Sequence, residues 1–325
     1  MAKLYSVVKE VAMKRIRMIL LTLAISISAG ICAVRYDSGD VLQTDRIALS
    51  KVVSQMPRLD VPFVPTKGDV LAEMIRMANI SKGDVVYDLG CGDGRIVIAA
   101  AEKSGATCVG IDIDPLRIKE CRENVAKVGL ANQISFHEQN LFDADISSAT
   151  VVMLYLLPDM NLKLRSKLLK ELKPGARVVS HNYDMKQWQP DDTRQIGRHL
   201  VYFWVVPANV TGTWNWTIKM GSISRSHSMR LNQDFQNAEG WVTCNAEKMA
   251  VKNFRMHGNK ISFSIVHAIK GESIPIRFSG QVNENTITGT IYYGYNAQMK
   301  KWSAQREPGS EQPLDGSTLV RLSSP

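Results

Sequence analysis

The sequence predicts an α/β protein: a doubly wound, Rossmann-like sheet followed by a small all-β barrel or sandwich domain. Three observations predict it. Apolar runs of strand length alternate with helix-like segments between residues 84 and 206. The helix-like segments close in glycine or Pro-Gly. Beyond Pro207 the helical period disappears, and short alternating segments are separated by Gly, Asn and Ser. With 325 residues, 45% hydrophobic and 22% charged, the composition is globular and the length suffices for two domains. The predicted layout is a signal peptide or membrane anchor at 1–35, a linker at 36–60, an α/β domain at 61–207 and a β-rich domain at 208–325.

The elements follow in order. Val70, Leu71, Met74, Ile75 and Met77 recur near helical spacing within DVLAEMIRMANI, residues 69–80. DVVYDLG (84–90) reads as a buried strand, and RIVIAAAEKSG (95–105) as a helix closed by Gly105. TCVGIDI (107–113) is a second strand. PLRIKECRENVAKVG (115–129) is a helix with proline in its first turn and glycine at its end. QISFHEQ (133–139) and ATVVMLYLL (149–157) are strands, NLKLRSKLLKELKPG (161–175) a helix, and ARVVSHNY (176–183) a fifth strand. LVYFWVV (200–206) suits an antiparallel strand at the sheet edge. In the last domain TWNWTIKM, SHSMRLNQDFQ, GWVTCN, KISFSIV, PIRFSGQV, TITGTIYYGY and STLVRL read as strands.

At the amino terminus, basic KRIR (14–17) precedes an uncharged run, MILLTLAISISAGICAV, at 18–34. Small residues Ser28, Ala29, Gly30 and Ala33 suit cleavage, and the run is just long enough to span a bilayer. A cleaved signal peptide and an uncleaved anchor both fit. Either one gives an exported or membrane-anchored protein of the cell envelope, with membrane association through residues 18–34. The net charge of +9 is dispersed without a long basic block, so no specific nucleic-acid partner is expected. The five cysteines, Cys32, Cys91, Cys108, Cys121 and Cys244, contain no C-x-x-C pair, so neither a zinc site nor a disulfide framework is expected.

The chemistry concentrates in DLGCGDGR, residues 88–95. Gly90, Gly92 and Gly94 allow a sharp strand-to-helix turn and a close approach of backbone to a ligand. The spacing is not the G-x-G-x-x-G of dinucleotide loops, and no Gly-Lys-Ser/Thr follows. Asp88 and Asp93 would repel a pyrophosphate. A ligand with cationic groups and an adenosine, S-adenosylmethionine (SAM), fits better. Its ribose hydroxyls need an acidic residue about 20 positions on, at the end of the next strand. Asp112 lies 22 residues after Gly90, in GIDID. Asp114 beside it suits the cap of the helix that begins at Pro115. Asn140, at the end of the third strand, stands where an adenine contact is expected.

D-x-G-x-G-x-G, the acidic end of the second strand and the polar end of the third resemble the class I, seven-strand SAM-dependent methyltransferases, over residues 61–207. Nucleic-acid amino-methyltransferases carry Asp/Asn-Pro-Pro-aromatic after the fourth strand; here the run is Leu154-Tyr155-Leu156-Leu157-Pro158. The stretch from Val151 to Trp188, together with PFVPT at 62–66, resembles the seven-strand protein-lysine methyltransferases of the ATP-synthase c-subunit type. The resemblance implies SAM as cofactor, with Thr66, Asp88, Gly90, Gly92, Asp112 and Asn140 around it and a protein lysine as acceptor. A small-molecule or lipid acceptor, or a non-catalytic SAM-fold binding protein of the envelope, is the alternative. Tyr155 is expected to wall the acceptor channel or to pack in the core. Thr66 is expected to bind the SAM carboxylate or to cap a helix. His181 serves either as a base or as a structural histidine, with Tyr183 and Asp184 near the mouth. Trp188 is a core, lid or stacking residue. The β-rich domain has no counterpart in this pattern.

Overall fold

The computed structural model describes residues 63–220, 223–269, 272–293 and 298–314. The leader, the linker and the strand expected in STLVRL lie outside the described residues. Among those described, no helix is long and apolar enough to cross a membrane.

The first half is a seven-stranded sheet with helices on both faces. In chain order it comprises α1 (Gly68–Ala78), β1 (Val85–Leu89), α2 (Arg95–Ser104), β2 (Thr107–Asp112), α3 (Pro115–Val128), β3 (Ile134–Glu138) and β4 (Val151–Leu154). Then come α4 (Pro158–Glu171), β5 (Arg177–His181), β6 (Asp192–Ile196) and β7 (His199–Val205). The spatial order is β3-β2-β1-β4-β5-β7-β6. The first five strands in that order run parallel. β7 runs antiparallel to β5, and β6 antiparallel to β7. Two apolar layers cover the sheet, one holding Val70, Met74, Val97 and Ile118, the other Leu154, Leu164, Leu168 and Trp204.

Local chemistry sets the helix ends. Asp114 caps α3 by accepting a hydrogen bond from the Leu116 N–H at 2.8 Å, with Pro115 at the first helical position. Gly94, Gly105 and Gly129 take left-handed backbone angles at helix boundaries. Two expectations need correction. The strand at 199–205 is antiparallel but is not the edge, because β6 lies outside it. α4 begins at Pro158, three residues before the expected start, since proline suits a first helical turn.

The chain then forms β8 (Gly212–Met220), β9 (Ile223–Asp234), β10 (Asn237–Cys244), β11 (Glu247–Ala250) and β12 (Lys252–His257). β13 (Lys260–Ile269), β14 (Glu272–Asn283), β15 (Thr286–Tyr293) and β16 (Gln298–Arg306) complete it. All neighbours in this nine-stranded sheet pair antiparallel, in the order β11-β10-β9-β8-β16-β15-β14-β13-β12. Its outer strands, β11 and β12, are consecutive in sequence and pack back against β13 and β10, so the sheet wraps into a barrel. The inside is filled: Phe263 stacks on Phe278 at 4.6 Å, and Trp302 meets both edge-on.

The barrel docks through its turns. Phe235, between β9 and β10, is 5% exposed and belongs to the apolar layer of the first sheet. Its ring stacks on Trp188 at 6.1 Å and lies 5.4 Å beneath the Arg165 guanidinium. Gly258, in the β12–β13 turn, has φ +59°, and a Cβ there would lie 2.9 Å from Gly175 Cα, so backbone meets backbone at this join.

Candidate active site

The cleft opens at the carboxyl ends of the parallel strands, where ligands bind in such sheets. Its wall includes Gly90, Gly92, Asp93, Asp112, Asn140, Tyr155, Leu156, Met160 and the strap Phe63-Val64-Pro65-Thr66.

The glycine loop forms its floor. Gly90 and Cys91 both donate backbone hydrogen bonds to the Ile111 carbonyl, at 2.8 and 3.0 Å, folding the loop onto β2. Gly90, Gly92 and Gly94 all have positive φ. A Cβ on Gly90 would sit 2.7 Å from Leu156 Cδ2, and one on Gly92 would sit 2.3 Å from the Phe63 ring. The strap therefore lies directly over the loop, with Arg117 stacked on Phe63 at 4.8 Å and the Arg95 guanidinium donating to the Thr66 carbonyl at 3.2 Å. Gly92→Ala is expected to lift the strap and lower SAM affinity about tenfold; left-handed alanine also costs ~1–2 kcal/mol of stability. Titration calorimetry and thermal melts check both numbers.

Three carboxylates surround the loop in different states. Asp112 accepts from the Gly92 N–H with Oδ2 and from the Asp114 N–H with Oδ1, each at 2.9 Å. Burial raises its pKa, and the two N–H groups oppose that shift. Asp93 is held low, against its burial, by hydrogen bonds from Arg95 and by the guanidinium charge. Asp88 is 1% exposed and lies beneath the loop, not in the cleft wall, with Oδ2 unpartnered. Burial first, then the Asp112 and Asp93 charges, pushes its pKa up to about 8. An unfolded aspartate titrates near ~3.9, so from there to about 8 the native state holds a proton that the unfolded state has released. The stability linked to Asp88 is therefore full below pH ~4 and is lost as pH rises through 8. Asp88→Asn is expected to flatten the fall in melting temperature between pH 5 and 8; an unchanged slope would assign the dependence elsewhere.

The structure brings Thr66, Gly90, Gly92, Asp112, Asn140 and Tyr155 to one cleft. Asn140 is exposed, and its Oδ1 accepts from the Phe142 N–H at 3.0 Å, leaving its amide group free to face a ligand. His181 is not in the wall. It is 1% exposed, with Tyr155 stacked on it at 3.8 Å. Burial and then the neighbouring His199 push its pKa down to about 4. It reaches the cleft only through Tyr155 and through Thr66, whose hydroxyl lies 3.4 Å from Nδ1. Trp188 is 0% exposed and packs in the core. Sequence reasoning singled out PFVPT, whose resemblance implies an aromatic segment closing over SAM, but missed Arg117 and His199. Arg117 carried a weak signal, a basic residue just beyond Asp112; His199 carried none.

The cleft suits SAM. Its floor is a backbone cradle that side chains would fill, Asp112 keeps lone pairs beyond those used by the two N–H groups, and an unpartnered buried carboxylate oxygen lies below. In the cleft wall Asp93, Asp112 and Asp114 outnumber Arg95 and Arg117, a small surplus of carboxylates that favours a cationic ligand.

Residues 88–192 match the ANTKMT methyltransferase domain family. A protein-lysine N-methyltransferase from Saccharolobus islandicus (strain REY15A) is 44% identical over 151 residues, 45% of this chain and 94% of that protein. The ATP synthase c-subunit lysine N-methyltransferase of Homo sapiens is 31% identical over 164 residues, 50% of this chain and 70% of that protein. A crystal structure of an RNA methyltransferase from Salinibacter ruber, in complex with S-adenosyl-L-homocysteine, is 49% identical. It covers 45% of this chain and 96% of its own, with a TM-score of 0.45.

Proposed function

We propose, for a chain that belongs to the ANTKMT-type family of SAM-dependent methyltransferases, that the methyl group goes to the ε-amine of a lysine in a protein. The observation that carries this reading is the Saccharolobus relative, named a protein-lysine N-methyltransferase and matched over 94% of its length at 44% identity.

When bound, SAM supplies a methyl group on a sulfonium, which an amine displaces in line. The chain's residues must then align the acceptor and keep it uncharged. Asp112 would hold the ribose, the glycine loop the methionine portion, and Asn140 the adenine edge. At the other end, Tyr155, buried Leu156 and Met160 offer the acceptor an apolar wall. An apolar wall favours a neutral amine over an ammonium. The Tyr155 ring face, braced by His181, suits a cation beside it.

The basic KRIR and apolar run at 14–34 support the further reading that the enzyme is exported or anchored in the cell envelope; amino-terminal sequencing of the mature protein tests it. For the acceptor, the full chain is incubated with methyl-labelled SAM and cell extract, which is then fractionated into protein, RNA, lipid and small molecules. Label is expected in protein, and acid hydrolysis should release it as methyl-lysine. Label confined to lipid, RNA or small molecules would refute the lysine reading.

A further inference from the structure

Thr66 enters the cleft wall with a hydrogen-bond polarity that the surrounding backbone dictates. The chain of donors begins at β7. The Leu200 N–H donates to Asn182 Oδ1 at 3.1 Å, which fixes the orientation of that amide. Asn182 Nδ2 therefore faces His199 Nδ1, at 3.3 Å, as a donor. His199 Nδ1 is then the bare nitrogen of its ring, with the ring proton on Nε2, which is buried and meets no acceptor among the described residues. His181 Nε2 lies 3.0 Å from that same nitrogen, so His181 carries its proton on Nε2 and donates it. Its Nδ1 is left as an acceptor, and the group facing it is the Thr66 hydroxyl at 3.4 Å. The Thr66 proton is thus directed inward, toward the buried His181 ring.

The backbone reinforces this order. Asn182 takes a left-handed φ of +64°, which asparagine tolerates, and its N–H donates to the Leu200 carbonyl at 2.7 Å. β7 thus grips the turn after β5 from both sides. Thr66 itself is 3% exposed, and Tyr155 leans on the same His181 ring. Thr66 and Tyr155 therefore occupy one end of the cleft, the end assigned above to the acceptor.

We propose that Thr66 acts there as a hydrogen-bond acceptor, receiving an N–H of the incoming amine, and that His181 and His199 are positioning residues that fix this polarity. A hydroxyl whose proton is engaged offers only lone pairs, which suit an amine N–H and repel a carboxylate. This reverses the expected role of Thr66 as donor to the SAM carboxylate. An amine attacking in line uses its lone pair for the methyl carbon and needs acceptors for its hydrogens. The inference rests on the amine-acceptor reading of the preceding subsection.

The test uses the full chain. Thr66→Val keeps the shape and removes the oxygen. It is expected to leave SAM affinity within about twofold and to lower kcat about tenfold, the effect of one hydrogen bond, with Thr66→Ser restoring most of the rate. A tenfold loss of SAM affinity in Thr66→Val would show the oxygen serving the cofactor, and unchanged kcat would show it serving neither; both overturn the proposal. His199→Leu should also lower kcat with SAM affinity intact. His199→Asn, whose Oδ1 can replace Nδ1, should recover most of that loss; equal loss in both would reduce His199 to packing. Nitrogen-15 spectra of the histidine rings should show bare Nδ1 and protonated Nε2 on both His181 and His199, and any other pattern overturns the polarity. If no protein is methylated by the wild type, the lysine reading alone fails; the ring spectra and SAM titrations still decide the role of the hydroxyl.

Discussion

Asp112→Ala is expected to weaken SAM binding by at least ~100-fold. Two ribose hydroxyls donating to one carboxylate contribute about 1.5–3 kcal/mol each. The substitution also removes the acceptor for two backbone N–H groups, those of Gly92 and Asp114, each bound at 2.9 Å. The first of these holds the middle of the glycine loop, so binding should suffer twice: through the lost ribose partner and through a loosened floor. Asp112→Asn separates the two. Both carboxylate oxygens accept an N–H, so the amide nitrogen of asparagine must face one of them donor to donor. Asparagine should therefore recover little of the affinity lost in alanine, although it could still bind one hydroxyl. Calorimetric titration of SAM into the three proteins at one pH decides the matter; affinity within threefold of wild type in Asp112→Ala would move the ribose elsewhere.

Trp188→Ala is expected to cost ~3–5 kcal/mol of stability, the range for removing a large buried aromatic side chain. Trp188 is 0% exposed, and its ring lies 5.9 Å from Trp204 and 6.1 Å from Phe235. Its carbonyl accepts the Trp204 Nε1–H at 2.8 Å, a bond that the substitution leaves in place. The loss is therefore one of packing, and it falls where the sheet and the barrel turn meet. Trp188→Phe makes the contrast. The indole Nε1 is buried without a partner, so phenylalanine removes an unsatisfied donor along with part of the ring. Its cost should stay below ~2 kcal/mol. Denaturant melts of both variants check the ordering; equal destabilisation would point to the indole nitrogen having a partner.

The parts of this molecule that were legible in the sequence are those whose reason is local. The glycine loop and the Asp114 cap depend on residues within a few positions of one another, Asp112 follows at a fixed distance, β4 is buried along its length, and β1 exposes no residue. β6 was missed because DTRQI is a mostly exposed strand without apolar alternation. β11 is short and mostly exposed, and β12 turns only Phe254 and Met256 toward the core, too brief an alternation to stand out. β16 hides its inward face, Trp302, Ala304 and Arg306, in a lysine-rich segment. The depth of Asp88 and the seclusion of His181 depend on packing around them. The partner of His181 stands 18 residues away on an antiparallel strand, and one partner of Trp188, Phe235, lies in a turn of the barrel. No periodicity carries such information.

β7 returns the chain from His199, beside the turn that follows β5, to Val205, opposite Arg177 at the start of β5. The polypeptide thus leaves the first sheet at the end of the strands away from the glycine loop, and the join through Gly175 and Gly258 lies at that end. Among the described residues, none of the barrel lines the cleft. Loading the cleft need not occlude the barrel, and the helix α4 reaches both, with Met160 in the cleft wall and Arg165 over Phe235 of the barrel turn.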